Sequence, residues 1–313
     1  MAKNAGAAEG GTQGGAAQRR SVMLGVSAAL LAVAIWGGWI VATRFSVVTY
    51  LNPIDVGLLR FGTAAAVLAP VWLRTGLLPK GVPLRILLPL LAGSGALFAL
   101  PLSHGMLFAP AAHTGALVPG TIPLWTALIG LIVFRERFSR MRTLGYILIA
   151  AGALLVGGAA ALLDTGTGGQ WRGHLLYLFA AFVWGVYTHA FIRSGLTALQ
   201  AVAVSSVWSA VVHGALAAAF GSSLPDLSAG TLVYQVGMQG VLSGIVAFIA
   251  FSFAVSRLGP TRAAAFSACV PVIAAVGAWI FIGEPLGVAE VLAIACIAMG
   301  VALASGLLRA RAG

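Results

Sequence analysis

The sequence predicts an all-α polytopic membrane protein of ten transmembrane helices, and three observations carry that prediction. Of 313 residues, 60% are hydrophobic and only 8% are charged, whereas a soluble domain carries about 25% charged residues. The apolar residues are gathered into runs of about 20, enough α-helix to cross a hydrocarbon core of roughly 30 Å. The runs lack the apolar–polar alternation of a membrane barrel, so each must satisfy its backbone as a helix.

The elements follow in order. Residues 1–21, MAKNAGAAEGGTQGGAAQRRS, are rich in Gly, Ala and Gln without periodicity and read as a disordered cytoplasmic tail. The apolar run after Arg20 is too long for the core of a cleavable signal peptide. Spans are expected at 22–43, 54–73, 86–108, 112–134, 143–163, 173–192, 198–220, 232–256, 261–282 and 286–307. With the N-terminus inside, fifteen of the eighteen lysines and arginines fall in inner segments; Arg44 and Arg172 fall in outer loops and Arg60 within a span. Positive charge in short loops marks the cytoplasmic side, so both termini are expected there. Asp164, Asp226 and Glu284 fall on the outside. The formal charge of +11 is thereby an orientation signal, and no nucleic-acid partner is expected. Cys269 and Cys296 lie inside apolar runs, fit no metal spacing and read as core residues.

Two hairpins explain the placement of charge. Residues 132–144, IVFRERFSRMRTL, and 280–292, IFIGEPLGVAEVL, align without a gap at an offset of 148, with Glu136 on Glu284. The same offset places Trp36-Gly37 on Trp184-Gly185, Pro123 on Pro271 and Gly152 on Gly300. Residues 22–163 and 170–309 are therefore expected to be two five-helix repeats. Five is odd, so the second repeat enters the membrane in the opposite direction. The arginine-rich hairpin faces the cytoplasm, and its mate faces outward without a lysine or arginine. Inverted repeats are an architecture of secondary transporters, with the binding site near the midplane between them.

At AIWGGWIVATRF in the first span, IPLWTALIGLIVFRERFSRMRTLGYILIAAGALLV in spans four and five, and their counterparts FVWGVYTHAF and VPVIAAVGAWIFIGEPLGVAEVLAIACIAMGVALA, the chain resembles the drug/metabolite transporter superfamily, EamA type. It is most similar there to the aromatic amino-acid exporters. The resemblance covers nearly the whole chain after the tail. It implies export of amino acids or related small metabolites across a bacterial inner membrane, and a cavity lined by spans 1, 3, 4, 6, 8 and 9. It also implies a third-span histidine and a fourth-span tryptophan on the substrate path, positions that His104 and Trp125 match approximately.

On those spans the candidate substrate-binding residues are Trp36, Trp39, Ser103, His104, Trp125, Trp184, Tyr187, His189 and Ser252. An amphipathic substrate needs an aromatic wall and a few hydrogen-bonding groups. The tryptophans and histidines have packing readings as well, and Trp36 and Trp184, being repeat mates, equally fit helix packing beside Gly37 and Gly185. Arg60 reads first as a side chain reaching for the outer interface near Asp55, and second as a clamp for a substrate carboxylate. His213 on span seven is read in the same two ways. Pro101, Pro119, Pro123 and Pro271 lie within spans and are candidate kinks. Gly240 and Gly244 match a GxxxG pattern, which carries little weight in a chain with 41 glycines.

No acid lies deep in a span, so sodium coupling is not expected, and the absence of GxxxxGK[ST] argues against direct use of ATP. Facilitated export is favoured, with no cofactor and no metal, and a monomer is expected. The five histidines are scattered over both sides, which disfavours an integral membrane enzyme such as a lipid-modifying transferase. A nucleotide-sugar carrier or a carrier of drug-like compounds is the alternative within transport. A single intramembrane cation disfavours dianionic substrates.

Overall fold

The computed structural model describes residues 6–162 and 169–306, and every regular element among them is helical. Residues 1–5 of the tail, Asp164, Arg309 and Arg311 lie outside the described residues. In order, the helices are α1 (Gly6–Thr49), α2 (Pro53–Val67), α3 (Ala69–Thr75), α4 (Leu84–Ser94), α5 (Ala96–Gly105), α6 (Ala111–Leu117), α7 (Ile122–Phe134), α8 (Arg140–Leu162), α9 (Gln170–Ser194) and α10 (Ala198–Phe220). There follow α11 (Ala229–Gln235), a π-helical stretch (Val236–Val246), α12 (Ala247–Leu258), α13 (Pro260–Ala265), a 3-10 turn (Phe266–Ala268), α14 (Cys269–Ile282) and α15 (Val288–Ala304). Among the described residues, eight helical segments are long and apolar enough to cross a membrane, or nine if α2 and α3 form one bent span; α15 is a shorter apolar helix of 17 residues.

Two features differ from expectation. Helix α1 begins at Gly6, so residues 6–21 are helical where a disordered tail is expected. Once the apolar span has nucleated a helix, adding alanine-rich turns needs no second nucleus. The kinks also differ from a simple reading of proline. The second span bends by 74° between α2 and α3, where Pro70 has no amide for the Ala66 carbonyl. Pro119 and Pro123 flank a real break between α6 and α7, and Pro271 follows the 3-10 turn at the start of α14. Pro101, by contrast, sits inside the unbroken α5; the break in that span is at Gly95, where an added Cβ would collide with the Ser209 hydroxyl.

The irregular places coincide at an offset of 148. The break at 118–121 falls on 266–269, and Gly95 falls on residue 243 within the π-helical stretch. The helix contacts are reciprocal at the same offset. A Cβ at Gly152 would lie 2.6 Å from Ile297 Cγ1, and a Cβ at Gly300 would lie 2.8 Å from Ile149 Cγ1. Residue 149 plus 148 is 297, so the contact α8 makes on α15 is the one α15 makes on α8. That is the property of a two-fold relation. Gly37 likewise meets Ile273 of α14, while Gly185 meets Trp125 and Ile129 of α7; Gly25 meets Arg257, while Gly173 meets Ala109. In lipid, helices gain nothing from hiding apolar surface, so close packing over small residues holds the bundle.

The two hairpins end alike. Helix α7 stops at Arg135 in the left-handed region (φ 56°) and α14 at Gly283 (φ 69°), again 148 apart. The next amide returns in each case, Glu136 to Gly130 O at 3.0 Å and Glu284 to Ala278 O at 3.2 Å. Glycine adopts this cap freely, whereas an arginine there costs about 1–2 kcal/mol. Gly300→Leu should lower the melting temperature of the micellar protein by the equivalent of about 1–3 kcal/mol, because the Gly145 carbonyl and Ile149 cannot both retreat. Gly38→Ala, which enters open space on α1, should leave it unchanged or raise it by about 1 kcal/mol or less.

Candidate functional site

Helices α2, α4, α9, α10 and the π–α12 segment line a narrow cavity of about 30 Å³, room for about one water molecule, so a substrate enters only when the helices of its wall part. Arg60 of α2 lines it, seven residues from the helix start and so about 10 Å along its axis. The side chain is half-buried. It donates from Nη1 to Ser243 Oγ at 3.1 Å, and its guanidinium carbon lies 4.8 Å from the centre of the Trp39 ring. Among the described residues no carboxylate pairs with it. Asp55 is committed elsewhere, accepting from the Ser222 hydroxyl (2.8 Å) and from the amide and hydroxyl of Ser223 (2.7 and 2.8 Å). Asp55 is thus no partner of Arg60, although the two stand five residues apart on α2.

The rest of the wall suits an amphipathic guest. Trp184 is flanked by Phe98 at 4.7 Å and Tyr187 at 5.2 Å, and Phe61 and Phe248 complete an aromatic surround. Hydroxyls of Ser94 and Ser205 meet at 2.8 Å, with Ser206 beside them. An arginine at the centre of a membrane helix costs roughly 2.5–3.5 kcal/mol. The Trp39 face offsets about 0.5–2 kcal/mol of that, so the cation remains short of an anion. A carboxylate would meet it through two parallel N–H···O bonds.

Beneath Arg60 runs a polar seam between α1 and the π-helical stretch. Trp39 Nε1 donates to Gln239 Oε1 at 2.5 Å, and Gln239 Nε2 donates to Thr43 Oγ1 (3.2 Å) and Gln235 Oε1 (3.1 Å). Gln235 Nε2 donates in turn to Ser46 Oγ and Tyr50 OH, both at 2.7 Å. Thr43, Ser46, Gln235, Gln239 and Ser243 are wholly buried. Glycine lets α2 close on this stretch: a Cβ at Gly240 would collide with Thr63, and Gly244 lies under Arg60. The GxxxG pattern therefore does have a packing role. Where α1 ends, Arg44 Nε pairs with Glu284 Oε1 at 2.8 Å and Arg44 Nη1 donates to the Met106 carbonyl. Glu284 Oε2 accepts the Ala111 amide at 2.7 Å, so one carboxylate ties α1 and α14 to the start of α6.

The structure divides the expected residues. Trp184 and Tyr187 line the cavity, and Trp39 supports Arg60. Trp36 stands one layer back, against Phe248 and Phe251. The others lie elsewhere. Ser103 is buried and donates to Ala99 O (2.8 Å) and Pro53 O (3.1 Å). His104 bonds the Leu100 carbonyl at 2.8 Å and faces a separate groove beside Asn52 and Phe220. Short polar side chains on a helix readily return to a carbonyl one turn back, which leaves them little to offer a substrate. Trp125 and His189 line another groove, with Arg85 and Phe182, and Ser252 is exposed away from the cavity. Spans two and seven, outside the set of cavity-lining spans that the resemblance implies, supply Arg60, Ser205 and Ser206. His213 of α10 is spent on packing against Gly57 and Phe61.

Comparison with known proteins agrees with this architecture. The sequence profile of the EamA-like transporter family matches residues 23–158 and again residues 171–306, two stretches offset by 148. A probable terminal-alkyne amino-acid exporter of Streptantibioticus cattleyicolor is 29% identical over 287 residues, covering 81% of this chain and 87% of that one. The uncharacterized transporter YyaM of Bacillus subtilis is 24% identical over 274 residues, covering 84% and 87%. One crystal structure superposes with a TM-score of 0.61 at 19% identity, over 94% of this chain and 98% of that one, and shares the fold.

If Arg60 served packing, its loss would destabilise the bundle. An unpaired cation predicts the reverse: Arg60→Leu should raise the stability of the substrate-free protein by about 1–3 kcal/mol, read as a higher melting temperature in micelles.

Proposed function

Because the chain belongs to the EamA-like transporter family, we propose that it exports small amphipathic carboxylates, large neutral and aromatic amino acids foremost, across a bacterial inner membrane. The observation that carries this reading is Arg60, a cation without a carboxylate partner among the described residues, facing a central cavity walled by aromatic rings and serine hydroxyls. The substrate carboxylate docks on Arg60. Its ammonium group meets the faces of Trp184 and Tyr187 and the oxygens of Ser94 and Ser205, and its side chain lies among the aromatic rings. One cation suits one carboxylate, which favours a zwitterion over a phosphate ester or nucleotide sugar. The relative named as an amino-acid exporter supports the substrate class.

The topology that goes with this reading has ten spans in two oppositely inserted repeats, 22–163 and 170–309, both termini cytoplasmic, in a monomer. The reciprocal glycine contacts support the repeat, and the charge of the loops supports the orientation. Exchange between inward-open and outward-open forms carries the substrate. No aspartate or glutamate lines the cavity, which favours facilitated export over cation coupling, and no step calls for enzymatic chemistry.

Counterflow tests the proposal. Proteoliposomes loaded with unlabelled phenylalanine, leucine or tryptophan should take up the labelled amino acid without sodium or a proton gradient. Arg60→Leu should fall below about a tenth of wild type, a loss of more than roughly 1.4 kcal/mol in transition-state stabilisation. No counterflow of any amino acid, or undiminished flux in the variant, would contradict it.

A further inference from the structure

The polar seam runs from the cavity to one end of the molecule and stops being polar at the cavity. On α1, Trp39, Thr43, Ser46 and Tyr50 recur at spacings of four, three and four, which is one helix face. Opposite them stand Gln235, Gln239 and Ser243 at spacings of four. Their hydrogen bonds run from Arg60 to Ser243, from Ser243 to the backbone carbonyl of Gln239, and from the Gln239 side chain through Gln235 to Tyr50, with Trp39 donating to Gln239 as well. Toward the other end α1 packs on α12 through Ala28, Ala29, Phe251, Ala254, Val255 and Leu258, and the hydrogen bond between the two helices there, Arg257 Nη1 to Ser21 Oγ at 3.4 Å, is exposed at the edge of the contact. One helix therefore has a polar half-seam and an apolar half-seam, divided at the level of the cavity.

The two halves respond differently to water. Parting an apolar seam exposes carbon to solvent and is opposed throughout. Parting a polar seam exchanges protein hydrogen bonds for bonds to water, so the net change is small. A stable core has no need of two buried glutamines in a membrane, where apolar packing would close the contact without satisfying any amide. The π-helical backbone that begins just after Gln235 and carries Gln239 is a second mark of adjustability, since π-helical turns are frequent at functional sites. Arg44, next to Thr43 on α1, holds this end shut through Glu284.

We infer that the polar half-seam is the substrate's route between the Arg60 cavity and the Arg44 end, with Thr43, Ser46, Tyr50, Gln235 and Gln239 as its lining once α1 parts from the π-helical stretch. The route is built for a zwitterion: the amides and hydroxyls that bond one another when it is closed solvate an ammonium and a carboxylate when it is open. The apolar half-seam stays closed and serves as the pivot. This inference rests on the proposed role of the cavity, and its test separates the two.

The reporter is Ser46→Cys in the full chain with Cys269→Ser and Cys296→Ser, probed with a membrane-impermeant maleimide in vesicles of each orientation. Leu107→Cys, exposed at the Arg44 end, identifies the face. Ser103→Cys, equally buried but outside the seam, is the control. Ser46→Cys should react from the Leu107 face alone, about ten-fold or more faster than Ser103→Cys. Replacing both glutamines, Gln235→Leu with Gln239→Leu, should slow that reaction and phenylalanine counterflow alike by about ten-fold. The labelling ratio stands by itself if the leucine pair does not fold. Labelling no faster than the control, labelling from the opposite face, or full counterflow in the leucine pair would overturn the route. Labelling from the Leu107 face in a protein that carries no phenylalanine would uphold the route and reject the substrate; counterflow without labelling would do the opposite.

Discussion

Hydrocarbon cannot hydrogen-bond, so each amide and polar side chain within the bundle must find its partner in protein. Most do so locally. Ser103 and His104 return to their own helix, Asp55 gathers three donors from the turn at Ser222 and Ser223, and Gln235 and Gln239 complete a chain of bonds to α1. Arg60 is the conspicuous departure. It has a ring face and one hydroxyl where a guanidinium has five N–H donors to satisfy. The surrounding structure maintains this shortfall: glycines at 240 and 244 admit α2, and Asp55 is occupied five residues away. A fold under no functional demand would have an apolar residue here.

Much of the fold could be read from the sequence because the offset of 148 carries physical content. Glycines recur where helices touch, so Gly37 with Gly185 and Gly152 with Gly300 appear in the alignment and again as reciprocal contacts. Helix caps recur too, with Arg135 and Gly283 sharing a left-handed backbone despite different side chains. The site was less legible. Trp184 and Tyr187 are bulky and lie on a helix expected to face the cavity. From sequence Arg60 reads first as reaching for the outer interface near Asp55; sequence does not show that Ser222 and Ser223, far along the chain, hold that carboxylate. Gln235, Gln239 and Ser243 left a readable signal, amides and a hydroxyl at spacings of four in an apolar run. The partners of the two glutamines lie about 190 residues away at the end of α1 and that of Ser243 on α2, beyond the reach of periodicity. The helical register of residues 6–21 depends on a neighbouring nucleus, which composition alone does not convey.

Two kinds of helix serve two kinds of task. Helices α8 and α15 are unbroken and interlock through glycines whose missing side chains leave no slack. Besides the bend between α2 and α3, interruptions lie at Gly95, at 118–121, in the π-helical stretch and at Phe266–Ala268. The segments that carry them adjoin the cavity or the Glu284 tie. A rigid pair behind and interrupted helices in front is an arrangement in which one half can rock on the other while the close-packed contacts persist. In the proposed topology the two hairpins differ in charge for a reason separate from motion, since arginines on one and none on the other set the direction of insertion.

The central claim is that Arg60 receives the substrate's carboxylate. The most direct measurement is competition at phenylalanine counterflow in proteoliposomes, comparing unlabelled phenylalanine with phenylalaninamide and phenethylamine, which share the ring and amine but lack the carboxylate. The account predicts that phenylalanine competes at least about a hundred-fold more strongly than either analogue, roughly 2.7 kcal/mol, as expected for loss of a charge-assisted bidentate contact. Equal competition by all three would contradict it and leave Arg60 without a substrate to bind.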